Sequence, residues 1–310
     1  MRTYSVSAVK LWQRCQLAWF YRYIRRIESD SEKPYLKRGG DLHEGLELYH
    51  TMDPAFPQWL LQADPEDAEL IVRYATKYEE DDFDWEVLHA EEPFEIMVGS
   101  HKFVYIPDLV VRIGEDVWIV DHKTTKNIPD EWDPHNMTDL QHLIYIAGMQ
   151  EIYPNIRGFM FNYLRTKAPT KPTLIKDGSR IANLRAMDTD YDTLMDYATR
   201  LGLPIEGDLA DKLTILKHGP DRYFQRHYIM TSPEAVRQAV KDLDATLSAM
   251  SDKEHGRGKT TYPRTVMGAG SGYQSCNSCE FQTICHTELM GIEVDIDVLG
   301  YRERPEREKK

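Results

Sequence analysis

Residues 103–123 constrain this chain more than any other stretch: Phe-Val-Tyr-Ile-Pro-Asp-Leu-Val-Val-Arg-Ile-Gly-Glu-Asp-Val-Trp-Ile-Val-Asp-His-Lys. Two apolar, β-branched runs flank Gly114-Glu115-Asp116, which predicts a hairpin closed by a tight turn. Asp108 stands at the start of the first run, and Asp121 and Lys123 close the second. Alternation along a strand puts Asp121 and Lys123 on one face and His122 on the other. Two carboxylates and an ammonium converging at one end of a hairpin make a poor apolar core. They make a divalent-metal site with a cation beside it, or, read more plainly, a surface salt bridge.

The chain has 310 residues, enough for one large domain or a core with an added subdomain. Hydrophobic content of 41% and charged content of 29% describe a soluble globular protein. No apolar run approaches the roughly 20 residues that span a bilayer. The N-terminus shows no signal-peptide core, so the expected location is the cytoplasm. A net charge of −13 argues against nucleic acid at first sight. Its distribution reverses that reading. Residues 64–95 carry thirteen acidic against two basic side chains, whereas residues 2–38 carry nine basic against three acidic. Residues 157–185 carry seven basic against one acidic. Polyanion binding follows local potential, so two basic stretches in an acidic chain remain compatible with DNA. Ordinary solvated faces account for the same counts.

Along the chain, residues 5–27 read as an aromatic-rich helix with Ser5 or Ser7 as N-cap. Pro34 and Gly39-Gly40 predict a break. Helices are expected over 41–51 and 66–78, then a strand pattern over 85–98 interrupted by Pro93, then the hairpin. Residues 126–135 read as a loop, 138–152 as a helix and 157–164 as a strand. The result is an α/β class with core order helix, three strands, helix, strand over residues 66–164. Residues 165–180 read as a basic loop, 187–218 and 233–251 as helical with a strand at 223–230, and 251–272 as a linker. The tail after Leu299 reads as frayed. Four segments follow: 1–62 N-terminal and helical, 63–186 the α/β core, 187–272 a mainly helical subdomain with linker, and 273–310 a C-terminal cysteine segment.

Several residues could complete a site around the hairpin. Gln141 and Tyr145 lie at i and i+4 and share a helix face; a phosphate, a base, the lysine or simple half-burial would each explain them. The main-chain carbonyl of His122 is a natural extra ligand. His43 could coordinate a metal as a neutral imidazole or be purely structural. Of Glu91 and Glu92, one faces away, and Glu91 is the candidate for a third carboxylate.

The four cysteines are placed unevenly. Cys276, Cys279 and Cys285 fall within ten residues, and Cys15 stands 261 positions before Cys276. If the chain ends meet, four thiolates form one site, suited to a 4Fe-4S cluster or to Zn²⁺. Four independent reduced thiols are the plain alternative. Closing so long a loop costs only a few kcal/mol, because the cost grows logarithmically.

Taken in order, these pieces resemble the PD-(D/E)xK nuclease superfamily, and within it the RecB-type nucleases that carry an iron–sulfur cluster, as in AddB and the CRISPR-adaptation exonucleases. The resemblance spans about residues 5–290. It rests on the Ser-x-Ser helix with Cys15, Arg38-Gly-Gly-Asp-Leu-His43, Ile106-Pro-Asp108, Asp121-His-Lys123, Gln141-x-x-x-Tyr145 and the late cysteine trio. It implies a restriction-endonuclease-like core, a mixed sheet flanked by helices. It implies Mg²⁺ or Mn²⁺ held by His43, Asp108 and Asp121, with Lys123 catalytic. It also implies a 4Fe-4S cluster on Cys15, Cys276, Cys279 and Cys285. Residues 187–275 match no named motif, and no P-loop marks a helicase.

The expected function is a Mg²⁺- or Mn²⁺-dependent deoxyribonuclease, an exonuclease acting on single-stranded DNA or duplex ends. Arg22, Arg25, Arg26, Arg165 and Lys167 are candidate DNA contacts. A recombination or helicase protein is a candidate partner. Two other classes stay open: a non-catalytic DNA-binding or assembly module with a four-cysteine metal site, and a hydrolase of small phosphoesters.

Overall fold

A computed structural model describes residues 3–30, 34–130, 139–176, 178, 180–256, 261–265 and 276–305. Strand β1 (Thr3–Ser5) leads into helix α1 (Val6–Arg14), capped by Ser5, whose hydroxyl accepts from the Ala8 N–H at 3.4 Å. The single helix expected over 5–27 is interrupted. Cys15 adopts an extended conformation (φ −162°, ψ 112°), and a short α2 (Gln16–Trp19) widens into a π turn over Phe20–Ile24. The break falls where Cys15 packs beside Phe281 and Ile284, so a tertiary contact overrides local helix propensity. Strand β2 (Ile27–Ser29) follows.

Helix α3 (Pro34–His50) runs through Gly39-Gly40, where a break was expected. Pro34 occupies the first turn, where a missing N–H costs nothing, and the fully buried Leu42 and Leu46 anchor the helix against α5. Gly45 is required by close approach: a Cβ there would meet the Trp59 ring at 2.5 Å. Helices α4 (Phe56–Gln62) and α5 (Pro65–Asp82) complete this layer.

The strands that follow are β3 (Trp85–Ala90), β4 (Phe94–Val98), β5 (His101–Tyr105), β6 (Leu109–Ile113) and β7 (Asp116–Thr125). The first apolar run of the hairpin is therefore two strands. It splits at Ile106-Pro107-Asp108, where Pro107 has no N–H to give to a ladder. Strand β5 belongs to a small sheet of order β1-β5-β4, while β6 and β7 pair antiparallel, with Val111 opposite Trp118. Helix α6 (Leu140–Gln150) crosses over to β8 (Ile156–Arg165), which runs parallel to β7. Helices α7 (Tyr191–Arg200) and α8 (Gly207–His218) gather a separate apolar cluster around Leu194 and Leu213. Strand β9 (Phe224–Ile229) then completes a five-stranded sheet of order β3-β6-β7-β8-β9. Within that sheet the order α5-β3-β6-β7-α6-β8 is helix, three strands, helix, strand; β4 and β5 are an excursion into the second sheet.

The sheet is covered on both faces. Val117 and Ile119 of β7 and Phe159 and Phe161 of β8 face Ile144 and Met149 of α6, together with Leu243 and Leu247 of α9 (Pro233–Glu254). Val120 and Met160 point the other way. At the chain's end, α10 (Gln282–Leu289) packs on α2 and the π turn, and β10 (Tyr301–Glu303) pairs antiparallel with β2. The tail expected to fray is thus anchored through residue 303, because Tyr301 is buried and its hydroxyl donates to the Glu280 carbonyl at 2.7 Å. Parts of the expected loop, linker and tail (131–135, 257–260, 266–272 and 306–310) lie outside the described residues. No helix among the described residues is long and apolar enough to cross a membrane.

Candidate metal centre

The break at Pro107 and the end of β7 build the site together. Asp108 sits one residue before β6, and its Oδ2 accepts the backbone N–H of His122 at 2.6 Å. Asp121 continues the Val117–Ile119 face of β7, the side covered by α6. Its Oδ1 accepts from Gln141 Nε2 at 2.6 Å, and its Oδ2 lies 2.5 Å from Lys123 Nζ. The i, i+2 pairing of Asp121 with Lys123 is the geometry that strand alternation predicts.

Helix α3 brings His43 to this point, with Nδ1 3.4 Å from Asp108 Oδ2. The same imidazole hydrogen-bonds the backbone of His122, the residue expected to offer its carbonyl. Glu91 follows the last residue of β3 in a left-handed conformation (φ 48°), and its N–H donates to the Asp108 carbonyl at 3.1 Å. A non-glycine residue there is held against its preference, as happens where a side chain must be aimed. His43, Glu91 and Asp108 each offer one donor atom within 4.8 Å of the others, the only such grouping of His, Cys, Asp and Glu among the described residues.

The charges fit a cation. Burial pushes the Asp108 carboxyl well up, and Asp121 beside it pushes the same way. Burial alone would depress the Lys123 ammonium, but Asp121 and Asp108 outweigh it and hold it above its ordinary value. Burial lowers His43 and so favours the neutral ring, whose lone pair can bind a metal. One imidazole nitrogen and several carboxylate oxygens, in a pocket where two carboxylates repel, suit Mg²⁺ or Mn²⁺.

Helix α6 closes the site from above. Asp139 caps it, accepting from the Gln141 N–H at 2.8 Å, and this places Gln141 over Asp121. Tyr145, one turn on, is buried, hydrogen-bonds Gln141 and sets its ring 5.1 Å from that of Tyr105, tilted by 41°. Burial and then Asp121 push its phenol up, so it stays protonated.

Sequence reasoning missed Lys10. Its Nζ lies 2.9 Å from Asp139 and 3.4 Å from the side-chain oxygen of Gln141, the residue whose amide also bonds Asp121. Nothing local marks it; the contact joins residues 129 positions apart.

The five basic candidates are all engaged internally. Arg22 forms a two-pronged pair with Glu280 at 2.7 and 2.9 Å, and Arg25 reaches Glu288 at 3.2 Å. Arg26 donates to the Arg304 carbonyl at 3.0 Å. Arg165 grips Asp188 through two 2.8 Å bonds, and Lys167 meets the same carboxylate at 2.8 Å.

The cysteines converge in part. Cys15, Cys279 and Cys285 all pack against the cluster of Leu17, Tyr21, Phe281 and Ile284. Cys15 is near enough to Cys279 to raise its thiol, after burial. Cys276 is exposed, its sulfur 3.9 Å from the Thr265 carbonyl. All four are free thiols here.

A family model described as the PD-(D/E)XK nuclease superfamily matches residues 3–286. No curated protein matches the chain. Among solved structures, the crystal structure of SSO0001 is 13% identical, covers 91% of this chain and 85% of its own, and has a TM-score of 0.35. An exonuclease candidate from Eubacterium rectale is 12% identical, covers 85% of each chain, and has a TM-score of 0.45. The family match takes in Lys10, His43, Asp108, Asp121, Lys123 and Gln141 within one continuous span. With Pro107-Asp108 and Asp121-His122-Lys123 brought to one point, the chain belongs to the PD-(D/E)XK nuclease superfamily.

Proposed function

We propose that this protein is a Mg²⁺- or Mn²⁺-dependent deoxyribonuclease that trims single strands or duplex ends, on the RecB-type, iron–sulfur branch of its family. The observation that carries the reading is the grouping of His43, Glu91 and Asp108 donors beside the Asp121–Lys123 pair. A divalent ion there supplies polarisation of the phosphoryl oxygen and a lowered pKa for bound water.

The remaining work falls to the chain's own groups. Asp108, Asp121, His43 and Glu91 hold the ion, with the His122 carbonyl as a further oxygen. Lys123 stays an ammonium, orients water and stabilises charge developing on the phosphate. Gln141 fixes the Asp121 carboxylate and Tyr145 fixes Gln141, so both position the ligands rather than meet the substrate first. Arg22, Arg25, Arg26, Arg165 and Lys167 reach DNA only by sharing or leaving their acidic partners; Lys10 stands nearer the site.

Three thiols around one apolar cluster fit a metal clasp that ties the N-terminal helix to the C-terminal segment. A 4Fe-4S cluster is the proposed occupant, with Cys276 as fourth ligand. A purified protein that is brown, absorbing near roughly 400 nm, supports iron–sulfur; a colourless anaerobic preparation with one zinc per chain overturns it. A cytoplasmic location and a recombination or helicase partner belong to the same reading.

The decisive experiment is a time course on end-labelled single- and double-stranded oligonucleotides with Mg²⁺, Mn²⁺ or a chelator. Cleavage that needs the metal and vanishes in Lys123→Ala is expected. Lys123→Ala cutting at the wild-type rate overturns the mechanism, and DNA binding without cleavage in Mn²⁺ favours a non-catalytic module.

A further inference from the structure

Behind the metal centre, on the opposite face of β7, lies a buried polar cluster that the proposed chemistry does not use. Its hub is the His122 imidazole, 2% exposed, directly across the strand from the Asp121 and Lys123 side chains. Strand β8 pairs Asn162 with His122, and Asn162 Nδ2 donates to His122 Nδ1 at 2.8 Å. The same amide donates to the Tyr74 hydroxyl oxygen at 2.9 Å, which also receives Arg226 Nη2 at 2.8 Å. With two donors on its oxygen, the Tyr74 O–H is left to donate to His50 Nε2 at 3.2 Å. His50 then presents its other nitrogen to Asp82, 3.8 Å away, and Asp82 pairs with Arg226 at 2.7 Å.

The directions are mutually consistent, and they leave both imidazoles neutral. Burial and Arg226 push His50 down to about 3, and burial lowers His122. Flat groups stack through the cluster: Trp85 on His50 at 5.3 Å and 10°, and His50 on His122 at 5.4 Å and 11°. The column ends against His43, whose ring meets His122 edge-on at 5.9 Å. Arg226 closes the other end, 3.6 Å from the Tyr78 ring and 4.4 Å from Trp85.

A buried ion pair and four further polar side chains are a weak way to stabilise a fold, since an apolar core of the same volume does as well or better. Among the described residues, Asn162 Oδ1, His122 Nε2 and Arg226 Nε of the cluster have no hydrogen-bond partner, and Asp82 Oδ1 meets only the Arg226 charge. What the cluster does achieve is to pin one peptide. The His122 N–H holds Asp108 Oδ2, and the His122 backbone meets His43.

We infer that Asn162, Tyr74 and Arg226 are positioning residues for the metal centre, locking the His122 ring so that its main chain and its edge hold Asp108 and His43 in ligating geometry. The inference rests on reading the site as a divalent-metal centre, but not on DNA being the substrate.

The test measures Mn²⁺ affinity by electron paramagnetic resonance and by calorimetry on the full chain without DNA. Tyr74→Phe keeps the ring and removes the hydroxyl at the junction. Its Mn²⁺ Kd should rise about 10- to 100-fold, the range for groups that orient metal ligands. Asn162→Ser is the second variant, in case Tyr74→Phe does not fold, with the same direction expected. A purely structural role would lower Tm and leave the Kd of the folded protein within about twofold of wild type; that result overturns the inference. A cycle with His43→Ala separates the routes: if the cluster acts through His43, Tyr74→Phe should cost less in that background. A wild type that binds Mn²⁺ without cutting DNA sinks the nuclease reading and leaves this one to its Kd values. A wild type that binds no Mn²⁺ sinks both.

Discussion

The carboxylates at the sheet and the thiols at the chain ends are both sets of metal-ligating side chains, but they are held by different means. Asp108 is gripped by a backbone N–H, Asp121 by Gln141 and Lys123, and Glu91 by a left-handed turn beside the Asp108 carbonyl. Strand ladders on both sides fix each donor before any ion arrives. Cys15, Cys279 and Cys285 are held by packing around Phe281 and Ile284, and Cys276 remains exposed. One set is preorganised by hydrogen bonds; the other is gathered by burial. A preorganised site suits a metal used in chemistry, whereas a gathered one suits a metal that supports folding.

The largest effect expected from this contrast is at the sheet. Asp121→Ala and Lys123→Ala should each lower cleavage by about 10²–10³-fold or more, the scale for removing a group that stabilises transition-state charge. Both should keep a wild-type circular dichroism spectrum, because Val117 and Ile119 carry the strand. Asp121→Ala should also weaken Mn²⁺ binding, whereas Lys123→Ala should tighten it by removing a positive neighbour. An unfolded Asp121→Ala would break the contrast, making the carboxylates structural.

The next effect belongs to the thiols. On the proposed iron–sulfur reading, Cys279→Ser should lose bound iron and lower Tm by roughly 10 °C, since several kcal/mol of metal binding would leave the fold and each kcal/mol shifts Tm by about 2–4 °C. Mn²⁺ affinity at the sheet should hold within about threefold. If the Mn²⁺ site collapses with the iron, the two regions are one cooperative unit and the contrast fails.

The same contrast explains what the sequence made legible. Asp121, His122 and Lys123 were readable because strand alternation is strict, and Gln141 with Tyr145 because helical spacing is. Asp108 was readable as a carboxylate beside a proline. That Pro107 divides the run between two sheets was not, since a proline forbids a ladder bond without saying where the chain goes next. The helix break at Cys15 and the unbroken helix over Gly39-Gly40 are both set by tertiary packing, which outweighs local propensity. Lys10 was hidden because its partners lie across the fold. The partners of Arg22, Arg25 and Arg165 were hidden for the same reason, so counting basic residues overstated the charge left for DNA. Asn162 did leave a trace: it is the one amide in Gly158–Leu164 of β8, an otherwise apolar run.

Lys10 sharpens the sheet side of the comparison. Its ammonium is held by Asp139 and Gln141 with 44% of the side chain exposed, which on the proposed nuclease reading suits contact with a phosphate next to the scissile one. Lys10→Ala should raise KM about 3- to 10-fold, change kcat little, and make the slope of log K against log salt shallower by about 0.7 for single strands. Lys10→Arg should restore most of the affinity. A loss confined to kcat would instead place Lys10 with Lys123 at the reacting phosphate.

The smallest effect concerns Asp188, a charge that serves the fold rather than either proposed metal site. Two bonds from Arg165, with Lys167 beside them, outweigh burial and hold its carboxyl well below the usual range. A depressed carboxylate stabilises the folded state above the unfolded pKa of about 3.9 and loses that contribution as pH falls toward the folded value. Asp188→Asn should therefore lower Tm by about 2–4 °C at pH 7, equivalent to about 1 kcal/mol for a partly exposed pair. The gap between wild type and variant should narrow steadily as pH falls below about 4. Freed from Asp188, Arg165 and Lys167 should bind single-stranded DNA more tightly at low salt, with the carboxylate centre and its Mn²⁺ affinity untouched. A gap undiminished between pH 7 and pH 2 would mean that Asp188 acts through its shape and hydrogen bonds, not its charge.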